Sequence, residues 1–206
     1  MRLLKWLVSV KHYELKIVLA TLAVLISLPI VSVVVAATSA SAVVGNALVS
    51  LNPVTHIVEV FDPNGQKTTD LQLSTVWPVR GYVSDEFGTY SQLRKELNLG
   101  PHTGIDIANA MYTPIRAAGD GKVIWAGRSP YDPAWIVIIA HSSRLVTWYA
   151  HIDNRSHPPA VHAGEYVAKG EIIAYEGMTG WTTGPHLHWA VQFDDNWANP
   201  RLFLPT

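Results

Sequence analysis

Four residues with the chemistry of metal ligands fall in two tight pairs, His102 with Asp106 and His186 with His188. The first pair is four apart, but Pro101 and Gly104 are poor helix residues, and Ile105, Ile107 and Ala108 suit a strand. In a strand His102, Gly104 and Asp106 share one face, while Thr103, Ile105 and Ile107 share the other. The imidazole and the carboxylate then project together, and Gly104 leaves room between them for something bulky. His186 and His188 are two apart in Pro-His-Leu-His-Trp, again on one strand face, with Leu187 and Trp189 behind. Neutral imidazole and carboxylate suit zinc, and three protein ligands with an open fourth position define a catalytic zinc site. Either pair alone is also ordinary strand decoration. Their combination, with a further His151 after the strand-like VTWYA, is harder to attribute to chance.

The elements that must position these residues are short and β-rich. From Trp77 onward the runs GYVSDEFG, HTGIDIA, PIRAAGDGKVIWAG, WIVIIAHSSRLVTWYAHI, EYVAKGEIIAYEG and PHLHWAVQF are punctuated by Gly and Pro. No 12-residue stretch sustains an apolar 3.6-residue period, so an all-β, antiparallel domain is expected over 77–206, with one helical candidate at Tyr90 to Leu97. Upstream, HIVEVFDPNGQKTTDLQLSTV alternates on both sides of Asp62-Pro63-Asn64-Gly65 and reads as a hairpin. It completes a tether and hairpin spacer over 38–76, of which residues 38–52, rich in Ala, Ser and Val, are the tether.

Charge along the 206 residues is uneven: no charged residue lies between Lys16 and Glu59. Within that gap residues 17–37 are almost wholly apolar, and about 20 such residues span a hydrocarbon core of ~30 Å. The segment is read as an N-terminal transmembrane helix that tolerates Pro29. Arg2, Lys5, Lys11 and Lys16 against Glu14 place residues 1–16 in the cytoplasm and the rest outside. Ala40-Ser41-Ala42 offers a signal-peptidase site as the rival, which would secrete the domain, but the apolar run exceeds the length usual for a signal sequence. A net charge of -1 and a sequence pI near 6.7 exclude a basic nucleic-acid surface, and 49% hydrophobic residues exclude disorder. With no Cys, thiolate metal sites and thiol nucleophiles are excluded too.

Together these residues carry a resemblance. Trp77 to Leu204 resembles the lysostaphin-like (LytM-type) zinc metallopeptidases that cut peptide cross-links in peptidoglycan. The matching segments, in order, are WPVRGYVSDEFG, HTGIDIA, TPIRAAGDGKVIWAG, WYAHI and VAKGEIIAYEGMTGWTTGPHLHWAV, with NP near the end. The resemblance implies one zinc per domain, held by His102, Asp106 and His188, with His151 and His186 as catalytic histidines assisting attack by water. It implies peptidoglycan stem or bridge peptides as substrate. Catalytically inactive relatives that bind and activate a cell-wall amidase are the alternative, although such relatives typically lack one or more ligands; incidental histidines in a plain β domain are a third reading.

Two departures from the family pattern stand out. Tyr90, within TYSQLRKELNLGP, replaces an Arg, and GRSPYDPAWIVII replaces a Gly-Tyr-Gly-Asn turn. Both are expected in loops bordering the groove, where they bear on bond specificity. Tyr149 and Trp181 are expected either to line that groove or to pack. His12, His56, His141, His157 and His162 are read as structural or solvated.

Overall fold

Alternation of apolar and polar residues builds the domain. The computed structural model describes residues 49–52, 57–62, 64–71 and 73–205, all within the compact unit Gly45–Thr206. Residues 1–48, with the apolar segment 17–37, most of the tether and His12, lie outside the described residues, as does His56. Among the described residues no helix is long and apolar enough to cross a membrane.

The principal sheet is antiparallel. In chain order its strands are β4 (Tyr82–Asp85), β5 (Ile105–Ala108), β7 (Gly121–Arg128), β8 (Trp135–Ala140), β9 (Leu145–Ala150), β10 (Tyr166–Val167) and β12 (His186–Phe193). Their spatial order is β10-β7-β8-β9-β12-β5-β4, and β13 (Asn196–Ala198) pairs the far half of β12. Strand β12 therefore sits between β9 and β5, with His188 opposite Asp106 on one side and Ala150 on the other. A two-stranded sheet, β6 (Pro114–Arg116) with β11 (Ile172–Tyr175), adds Ile115, Ile173 and Ala174 to the core.

Each central strand buries one face. Ile105 and Ile107 of β5, Thr147 and Tyr149 of β9, and Leu187, Trp189 and Val191 of β12 are wholly buried. Burial of one large apolar side chain of this kind contributes about 1.5–3 kcal/mol. The Tyr149 hydroxyl, carried into this core, accepts a hydrogen bond from the Ala118 N–H at 2.8 Å. The opposite face carries Asp106, His186 and His188, the alternation expected of these two strands. Strand β5 begins only at Ile105, so His102 belongs to the segment before it rather than to the expected strand. Backbone bonds from Gly88 N to His102 O and from His102 N to Thr89 O, each 2.8 Å, fix that segment.

The β-dominated antiparallel architecture agrees with expectation. One helix is present within Tyr90 to Leu97: α1, Gln92–Glu96, whose N-cap Ser91 accepts the Arg94 N–H. Upstream, β1 (Val49–Leu51), β2 (Val58–Phe61) and β3 (Lys67–Leu71) form a three-stranded antiparallel sheet. The Asp62 side chain accepts the Asn64 and Gln66 N–H groups, shaping the turn between β2 and β3. Val49–Leu51, read as part of a tether, is instead a strand because its backbone pairs with β2. Val58 and Val60 join the main core.

Candidate metal centre

Three donor atoms converge at the junction of β5 and β12. His102 Nε2 lies 3.0 Å from Asp106 Oδ1 and 2.9 Å from His188 Nδ1, and His188 Nδ1 lies 2.9 Å from Asp106 Oδ1. His102, Asp106 and His188 are the group of His and carboxylate residues able to hold a metal ion among the described residues. Gly104 permits the convergence: a Cβ there would stand 2.4 Å from Trp189 O and 2.9 Å from His188 Cε1. The bulky neighbour for which Gly104 leaves room is strand β12 itself.

The donor set fits a cation. His102 Nδ1 lies 2.9 Å from the Glu86 carbonyl, which only accepts, so Nδ1 carries the proton and Nε2 presents its lone pair to the centre. His188 can protonate Nδ1 toward one neighbour, yet His102 Nε2 and Asp106 Oδ1 still meet lone pair to lone pair at 3.0 Å. Burial disfavours a charged His188, pushing its pKa down against the pull of Asp106. Burial also opposes charge on Asp106, but its contacts with His102 and His188 outweigh that and hold its carboxyl well below the usual range. An anionic oxygen and two imidazole nitrogens in this arrangement match zinc, with room for a fourth ligand.

Two further imidazoles stand beside the three donors. His151, in left-handed backbone (φ 64°) at the end of β9, donates from Nδ1 to Thr179 O at 2.7 Å. His186 donates from Nδ1 to Gly184 O at 2.9 Å. Both Nε2 atoms are thereby left as acceptors. The two rings are 4.6 Å apart, and His186 Nε2 is 3.6 Å from Asp106 Oδ2. Burial, with the His186 and His188 imidazoles beside it, pushes the His151 pKa down to about 3, so it is neutral at ordinary pH.

The centre opens into two cavities that share His188. One, of about 460 Å³, is lined by Asp106, His151, His186, Trp181 and residues of α1; the other, of about 550 Å³, includes Ser129, Tyr131, Asp132 and Trp148. Both stretches that depart from the family pattern thus border the groove, as expected. Trp181 lines it, whereas Tyr149 is wholly buried in the core. Of the remaining described histidines, His141 bonds Asp120 O and Thr147 Oγ1, His162 lies against Glu165, and His157 packs between Tyr112 and Tyr175.

Sequence reasoning did not single out Arg94, which α1 places in the first cavity. The carbonyls of Glu86, Thr179 and Gly184 orient the imidazoles without any residue-type signal. Glu176 went unremarked in the apolar run IIAYEGM, although a lone acid in such a run is itself a signal. It is wholly buried without a hydrogen-bond partner for either carboxylate oxygen, and burial raises its pKa to about 8.

An antiparallel β-sheet domain built around a His/Asp/His centre able to hold a metal ion is the class that this fold and site define. Residues 100–200 match Peptidase family M23. A solved structure described as the structural characterization of LytU superposes with a TM-score of 0.51 at 32% identity, covering 60% of this chain and 84% of that one. The chain belongs to peptidase family M23. DD-carboxypeptidase/endopeptidase Mpg of Neisseria meningitidis is 40% identical over 107 residues, 51% of this chain and 23% of Mpg. Murein hydrolase activator NlpD of Salmonella dublin is 32% identical over 150 residues, 72% of this chain and 36% of NlpD. The chain thus spans about a third or less of the length of these curated relatives.

Proposed function

We propose that the chain is a zinc-dependent endopeptidase that hydrolyses peptide cross-links of bacterial peptidoglycan. The observation that carries this is the division of labour among five residues. His102, Asp106 and His188 turn their donor atoms on one another, while His151 and His186 have Nδ1 tied to carbonyls and Nε2 free. His102, Asp106 and His188 would hold the zinc, which when bound supplies a Lewis acid that polarises the scissile carbonyl and lowers the pKa of water. Held in one tautomer by Thr179 O and Gly184 O, His151 and His186 offer Nε2 to the attacking water: one of them takes up its proton, steadies the developing oxyanion with the N–H so formed and passes the proton to the leaving amine as the C–N bond breaks. Trp181, with Leu93 of α1 and Leu97 and Leu99 after it, supplies a wall for the peptide and displaces water from it.

A second reading, activation of a cell-wall amidase, is favoured by the 150-residue match to an activator. The complete set of donors and histidines supports the enzyme over it. The full-length chain, purified in mild detergent and incubated with purified sacculi, tests the choice. Loss of cross-linked dimers with release of monomers, abolished by a chelator and restored by zinc, is the expected result. No hydrolysis alone, with stimulation of an added amidase, would replace the enzyme reading by the activator.

The same proposal has segment 17–37 cross the membrane, with the domain from 77 onward on its outer side and a mildly acidic surface. Cell fractionation with an antibody to the domain should recover it with membranes, and recovery from the medium would contradict the anchor.

A further inference from the structure

Helix α1 brings into the metal-centre cavity a cation whose bonding is incomplete. Arg94 is half-buried, and its guanidinium makes one hydrogen bond, from Nη1 to Gly100 O at 3.1 Å, and no ion pair among the described residues. A guanidinium has five N–H donors and does not lose its charge. Burial pushes its pKa down while Asp106 and Asp85 oppose that, so the charge is held at a cost with most donors unspent. The two carboxylates nearby are already engaged. Asp85 accepts from Thr89 Oγ1 at 2.6 Å and from the Glu86 N–H, and Asp106 faces His102 and His188.

A partly desolvated fork of donors in a cavity that also holds the catalytic histidines is built for an oxyanion brought by the substrate. We propose that Arg94 is the subsite for a peptide carboxylate next to the scissile amide. The assignment rests on the peptidase reading and names the substrate class within it: bonds flanked by a residue that keeps a free carboxylate, in preference to glycine bridges, which carry none. Arginine binds carboxylate through paired N–H donors, which fixes orientation as well as affinity. Trp181, 46% exposed on the same wall, and the half-exposed Leu97 give the flanking peptide an apolar surface. The carboxylate has two chemical sources: the acceptor diamino acid of a cross-link, or the C-terminus of an uncross-linked stem peptide.

Two matched pairs of synthetic peptides test this on the zinc-loaded full-length chain. One pair is a cross-linked dimer whose acceptor carboxylate is free or amidated; the other is a linear stem peptide ending in a free acid or an amide. Charge-assisted hydrogen bonds make kcat/KM about ten- to a hundredfold higher for the acid within one pair, and the pair that discriminates identifies the source. Arg94→Gln should bring the acid down about ten- to a hundredfold, to the level of its amide, with a much smaller loss on the amide and no change in melting temperature. Equal rates for acid and amide in both pairs, or an equal loss on both in Arg94→Gln, would overturn the subsite. The same pairs are measured by calorimetric binding. If wild type binds but cleaves none, the endopeptidase reading fails, while tighter binding of the acid, lost in Arg94→Gln, upholds the subsite and its absence overturns it.

Discussion

Asp106 and His188 face each other across neighbouring antiparallel strands, β5 and β12, with Asp106 Oδ1 2.9 Å from His188 Nδ1. The contact is fixed by register rather than by flexible side chains. A slip of one residue would turn Asp106 into the core and Ile107 to the groove. The buried set of Ile105, Ile107, Leu187 and Trp189 makes that slip costly, so the core positions the donors before any metal arrives.

Removing any one of the three donors should separate metal binding from folding. His102→Ala, Asp106→Ala and His188→Ala should each weaken zinc binding by more than about a hundredfold, beyond what loss of an outer-shell partner costs, and abolish hydrolysis of sacculi. Circular dichroism should show an intact β domain, because the core is built from apolar side chains that do not touch the metal. A variant that keeps both zinc and activity would reassign that ligand.

Gly104 should be as intolerant as a ligand. Its added Cβ would meet Trp189 O, a backbone atom that cannot rotate away, so Gly104→Ala must push β12 from β5. Overpacking of this kind typically costs about 1–3 kcal/mol. Urea denaturation should show that loss, and zinc titration should show weaker binding because His188 moves with its strand. Unchanged affinity would mean that the strands part without disturbing the donors.

These residues show what the chain discloses before it is folded. Asp106 and the pair His186 with His188 were legible because a strand repeats every two residues, and their apolar neighbours Ile105, Ile107, Leu187 and Trp189 confirm which face is buried. His102 was placed on the right face for a reason that does not hold, since it lies before β5 and is held by Glu86 O and two backbone bonds. Arg94 and the orienting carbonyls of Thr179 and Gly184 were not legible. The placement of α1 against the centre and the course of the loops bearing Thr179 and Gly184 depend on long-range packing, and a carbonyl is present at every residue alike. Val49–Leu51 was missed because a three-residue edge strand owes its existence to a partner rather than to its own pattern.

Glu176 should make stability fall as pH rises. Its folded pKa, about 8, lies above the ordinary 4.5, so between those values the unfolded chain releases a proton that the folded chain retains. The contribution is complete below the lower value and is lost as pH rises toward the upper one, each unit being worth ~1.4 kcal/mol. Glu176→Gln keeps the shape and removes the titration. Its melting temperature should match wild type near pH 4.5 and exceed it by about 10–20 °C at pH 8. Parallel curves for the two proteins would show that the carboxyl is ionised in the folded state through a contact made only in solution.

The last prediction separates catalysis from metal binding. His151→Ala and His186→Ala should retain zinc, since the three converging donors are His102, Asp106 and His188. Each should nevertheless lose transition-state stabilisation, because each removes an Nε2 held ready by a carbonyl on its other nitrogen. General acid-base participation is worth ~10² to 10⁴ in rate and one oxyanion donor ~10² to 10³, so kcat should fall at least about a hundredfold for either variant while peptide affinity changes much less. The double variant should lose less than the product of the two single losses, because groups acting as a unit are no longer independent once one is gone. Zinc analysis beside the kinetics distinguishes the roles. Loss of zinc from His186→Ala with retention in His188→Ala would exchange the duties of that pair, since His186 Nε2 already lies 3.6 Å from Asp106 Oδ2.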